Sequence, residues 1–128
     1  MDNEIYIFRN IELSIRTIAG DIISDALPDR KDFGYWSKSE ANLLEALIIY
    51  VCDRNNSKEV SDGTLHDIYC ILSTDTIEDI RKIYNNLHIN SPANPRLRLF
   101  FRTDETVQKQ IAGGLAEKLS RYAEEVKK

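Results

Sequence analysis

The stretch Arg96-Leu97-Arg98-Leu99-Phe100-Phe101-Arg102 brings three guanidinium groups and two aromatic rings together with no carboxylate between them. Two chemistries suit that mix. Arg96, Arg98 and Arg102 would neutralise phosphates while Phe101 or Phe100 stacks on an unpaired base, which describes a contact to single-stranded DNA. Alternatively, Leu97, Leu99, Phe100 and Phe101 pack into a core and the arginines pair with the acidic N-terminal half; the residues alone favour this reading. Trp36 has the same two faces, as a binding aromatic or as a core side chain, and its place just before a helix start favours the core.

Little else in the chain has the spacing that catalysis requires. A phosphate cradle needs Gly-x-x-x-x-Gly-Lys-Ser/Thr, and the nearest approach, Gly113 to Ser120, lacks the second glycine before the lysine and reads as helix. His66 and His88 are not paired with each other and are not set at ligand spacing to a cysteine, so no zinc site is expected. His66 and Asp67 are neighbours that a helix would point about 100° apart, which excludes a dyad. Cys52 and Cys70 sit among apolar residues and are expected to be buried free thiols. The expectation is a chain with no catalytic residue, no metal and no cofactor of its own.

The elements that must position these groups read as helices. Only 5 glycines and 3 prolines occur in 128 residues, too little punctuation for many short strands. Ile11, Ile15, Ile18, Ile22 and Ala26 make an apolar stripe closed by Pro28, while Ile5 to Phe8 carries no helical period and stays open between strand and arm. Ser37-Lys38-Ser39-Glu40 reads as a capping box with Trp36 and Ala41 as its hydrophobic staple. It opens a helix through Leu43, Leu44, Leu47, Ile48 and Val51 that is apolar on more than half its circumference, hence central, and that the polar run Asp53 to Lys58 ends. Thr64 with Asp67, then Asp75 with Glu78, are expected to cap two shorter helices, the second closed by Asn85-Asn86. Ser91 to Pro95 separates these from the arginine segment. Thr103 opens a last helix with the stripe Val107, Ile111, Leu115, Leu119, Tyr122 and Val126; Gly113-Gly114 inside it predicts a close helix contact or a kink. The fold class is therefore all-α, a compact single-domain bundle of about five to seven helices over residues 1 to 128, with Trp36, Leu43, Leu44, Leu47, Ile48, Ile111, Leu115 and Leu119 in its core.

Net charge is −4, so no nucleic acid would be gripped by the average field; all the excess acid lies before residue 61. No apolar run is long enough to cross a bilayer and the acidic start is no signal-peptide n-region, so direct membrane contact is not expected and a cytoplasmic location is.

The block Tyr35 to Val51 resembles a segment of TraG-like type IV coupling proteins, the conjugative ATPases, in which an Asp-Pro-Phe-Trp-like lead precedes a helix of this type. Here Asp32-Phe33-Gly34-Tyr35-Trp36 stands for that lead, without its proline and with one extra residue. Ile18-Ala19-Gly20-Asp21-Ile22-Ile23 upstream is similar to the family's Ala-x-x-Ile/Leu-Ile helix. Downstream, Ser91-Pro92-Ala93, Phe100, Ile111-Ala112-Gly113-Gly114-Leu115 and Leu119 resemble its closing segment. The resemblance implies an all-helical domain excised from a RecA-like motor, whose parent is membrane-anchored and hydrolyses ATP. It also implies partners: a relaxase or secreted protein substrate, the transferred DNA strand, and the parent's motor domain. It transfers no catalytic residue, so the candidate site stays with Arg96, Arg98, Arg102 and Phe101. A self-standing helical protein-interaction or nucleic-acid-binding module is the alternative, and a small enzyme with a pocket between helices is a third.

Overall fold

A computed structural model of the chain describes residues 15–23, 35–57, 60–73 and 76–126, without the side chains of 35, 62, 76 and 121–126. Every regular element among them is an α-helix: α1 over residues 15–23, α2 Tyr35–Arg54, α3 Asp62–Ser73, α4 Thr76–Asn86, α5 Ala93–Arg102 and α6 Glu105–Val126. The all-α bundle expected from the sequence is the architecture found. The segment Ile5 to Phe8, Ile11, Ala26, Pro28 and the capping residue Asp75 lie outside the described residues.

The centre is α2. Leu43, Leu44, Ala46, Leu47, Ile48 and Val51 are fully buried along it, as a helix surrounded on most sides requires. Ile15, Ala19 and Ile23 of α1, Leu97 of α5 and the Ile111, Leu115 and Leu119 stripe of α6 complete the core. α5 packs extensively on α2, and α6 packs on both α2 and α3. Trp36 is a correction: at 47% exposed it is outside this core. It fails as a staple because α2 already includes Tyr35 and Trp36, which turns the indole onto the helix surface.

The helix ends differ from the local expectation for one recurring reason, that side chains find better partners elsewhere. Ser37 is buried inside the first turns of α2, not at its cap, and Glu40 turns away to Lys118 of α6, whose Nζ donates to both carboxylate oxygens at 2.9 and 3.0 Å. At α3 the cap is Ser61 instead of Thr64: Thr64 N–H donates to Ser61 Oγ at 3.3 Å and Ser61 N–H to Thr64 Oγ1 at 3.1 Å. Asp67 is left to meet Arg54 at 3.8 Å. At α6 it is Asp104, with Oδ1 accepting from Val107 N–H at 2.9 Å, while the Thr103 hydroxyl donates back to Phe100 O at 2.6 Å.

The end of α2 is a Schellman turn. Asn56 takes the left-handed conformation (φ 53°), Ser57 N–H donates to Cys52 O at 2.8 Å and Asn56 N–H to Asp53 O at 3.1 Å. The expected close approach at the paired glycines is real at Gly114, where a Cβ would overlap the Glu40 carboxylate; at Gly113 the space is open.

Candidate functional site

The arginine segment is a helix, which sequence reasoning missed. The prolines that seemed to separate it in fact start it: Pro95 falls in the first turn, where no intrahelical N–H is required, and Ser91 Oγ accepts from Ala93 N–H at 3.2 Å. Ala93, Asn94, Leu97 and Phe100 face inward. Successive residues then turn by about 100°, so the named groups leave α5 in different directions.

Arg96 is drawn against α2. Its side chain is only 11% exposed, its Nε and Nη2 each lie 3.3 Å from Glu45 Oε1, and Nη1 donates to Pro92 O at 2.8 Å. Asn42 Nδ2 adds a bond to the Arg96 carbonyl at 3.0 Å. This guanidinium ties α5 to α2, the pairing with the acidic half that the packing reading expects. Arg98 and Arg102, four residues apart, share the exposed outer face, with Arg98 donating to Asn94 Oδ1 at 3.0 Å. Phe101 is half-buried on the side toward α4: it stacks on Tyr84 (centroids 5.3 Å, 27°), meets Phe100 edge-on at 5.0 Å and carries the Arg81 guanidinium at 5.2 Å. The structure therefore brings Arg98 and Arg102 together, and keeps Arg96 and Phe101 in packing contacts.

Leu99, expected in the core, is 56% exposed and faces a different feature. It borders an open groove of about 940 Å³ between α1, α2 and α5. Arg16 comes from α1, Lys38, Asn42 and Glu45 from α2, and Arg96 and Leu99 from α5. A second hollow of about 380 Å³ shares Lys38, Asn42 and Leu99 and continues toward Thr103 and Ile111. Arg16 reaches Glu45 at 3.9 Å with its side chain 70% exposed, and Lys38 is exposed with no ion pair among the described residues. The signal for this groove was present in the sequence as Leu99 and Lys38, but only helix packing places them side by side.

Of the two cysteines expected to be buried free thiols, Cys52 is one and Cys70 is not. Cys52 is buried, and burial pushes its thiol above the ordinary value more than the Thr64 hydroxyl beside it pulls it down. Cys70 is exposed, with Sγ 3.6 Å from His66 Nε2, because the two are four residues apart on the outer face of α3. No group of three or more potential metal ligands is gathered among the described residues. No described helix is long and apolar enough to cross a membrane. Comparison with models of protein families, with curated proteins and with solved structures returns no match.

Proposed function

We propose that this chain is a non-catalytic recognition domain that holds a segment of a partner protein in the groove between α1, α2 and α5, within a coupling ATPase of the TraG-like kind. The observation that carries the reading is the groove: an exposed aliphatic side chain, Leu99, bordered by the exposed cations Arg16 and Lys38, on helices whose opposite faces are fully buried. A floor of packed helices with an unburied apolar group and a charged rim is what protein docking uses. The likeness of Tyr35 to Val51 to the coupling-protein segment supports the setting. There the partner is a relaxase or secreted protein, and the parent's motor domain supplies ATP hydrolysis. A direct DNA contact would fall to Arg98 and Arg102 on the outer face of α5, since Arg96 is engaged by Glu45.

The test is a photo-crosslinking residue at position 99, with the purified relaxase or secreted protein of the same transfer system as bait. Crosslinks from position 99 and none from position 70 on α3 are expected. Equal capture from both positions, or from neither, would reject the groove as the recognition surface.

A further inference from the structure

We infer that the groove selects an acidic, leucine-rich peptide segment, its aliphatic side chains seated on Leu99 and its carboxylates on Arg16 and Lys38. This rests on the recognition reading above and adds the chemistry of the partner. Among the described residues, the charged groups facing the groove are Arg16, Lys38, Arg96 and Glu45. Glu45 is the one anion among them; Arg96 holds it at 3.3 Å and Arg16 lies 3.9 Å from it. Three cations against one carboxylate leave the groove a net positive charge, carried toward solvent by Lys38 and by Arg16, whose side chain is 70% exposed, in a chain whose net charge is −4. Local charge opposite to that of the whole molecule favours a carboxylate-bearing partner at this place and steers its approach.

The floor distinguishes a peptide from a nucleic acid. Ala41, Pro95 and Leu99 give it aliphatic surface, and among the described residues no aromatic ring lines the larger hollow. Phe100 borders the smaller one but is 3% exposed and offers no stacking face. A single strand bound here would lack the ring platforms that unpaired bases require and would set phosphates beside Glu45. Leucine or isoleucine side chains lose no such partner. Because Lys38, Asn42 and Leu99 border both hollows, one continuous segment can occupy the two together.

The experiment uses the full chain and three labelled peptides, a leucine pair flanked by aspartates, by lysines or by serines, read by fluorescence polarisation. The aspartate peptide is expected to bind best, weakening as salt rises. Leu99→Ser should weaken it at least about tenfold, the value of one buried aliphatic side chain. Lys38→Glu with Arg16→Gln should reverse the order so that the lysine peptide binds best; all three side chains are exposed, and a thermal melt checks that the fold is kept. Preference for lysines, no preference, or an aspartate preference that survives the charge variant would overturn the inference. So would an oligonucleotide that binds and is lost in Leu99→Ser. If position 99 crosslinks to the relaxase while no aspartate peptide binds, the recognition reading stands and this inference falls; if both fail, both fall.

Discussion

Two adjacent glycines of α6 should respond to alanine with opposite signs. In an exposed helix interior, alanine is favoured over glycine by about 1 kcal/mol. Gly113 has open space around a would-be Cβ, so Gly113→Ala should gain about that much, roughly 4 °C in a domain of this size. At Gly114 the same Cβ overlaps the Glu40 carboxylate. Glu40 is 4% exposed and held by Lys118, so it cannot swing to water without breaking the pair. Losing one partner of a buried pair costs about 3–5 kcal/mol. Lys118, at 17% side-chain exposure, still reaches solvent, so the lower end applies. Against the propensity gain, Gly114→Ala should lose about 2 kcal/mol, near 8 °C. The assay is thermal and urea denaturation of both variants, with the double-mutant cycle through Glu40→Ala. In the Glu40→Ala background the clash is gone and Gly114→Ala should stabilise by about 1 kcal/mol. If both single variants stabilise equally, the contact between α2 and α6 is not where the structure puts it.

Three further outcomes follow from other parts of the molecule. Arg96→Ala should destabilise by about 1–3 kcal/mol by stranding the mostly buried Glu45, whereas Arg98→Ala with Arg102→Ala should change stability by under about 0.5 kcal/mol; titration of labelled single-stranded DNA at low salt should give at most high-micromolar affinity, lost in the Arg98, Arg102 variant and kept in any variant that only unpairs Glu45. A disulfide-exchange reagent should label Cys70 quickly and Cys52 only on unfolding, and because burial raises the Cys52 thiol above its unfolded value, the stability that this group contributes is whole below the ordinary thiol range and is lost as pH climbs through it; Cys52→Ala, compared across alkaline pH by urea melts, should remove that part of the slope. Asn56→Gly should keep or slightly raise stability and Asn56→Val should cost about 1–2 kcal/mol, since only the left-handed backbone closes the turn after α2; equal melts for the two variants would reject that account.

The helical class and most of the core were legible in the chain's periodicity. Leu43, Leu44, Leu47 and Ile48, like Ile111, Leu115 and Leu119, repeat at three- and four-residue steps, the period of one helix face, and the scarcity of glycine and proline leaves other helices as what such faces pack on. The sequence also marked the Gly113-Gly114 pair, because glycine inside a helix is unfavourable unless something must come close, though only Gly114 meets such a contact. Local rules named the wrong caps for α2, α3 and α6, since any nearby Ser, Thr or Asp can serve and the choice depends on which is claimed elsewhere. The candidate site was legible least of all. Whether Arg96 faces a phosphate or Glu45 is decided by a residue 51 positions away, and whether Glu40 caps its own helix or meets Lys118 by one 78 positions away. The exposure of Trp36 and Leu99 likewise depends on where α2 begins and on how α5 lies against it. Periodicity specifies that a face is apolar, but only packing decides which polar or apolar edge of that face is left to meet a partner.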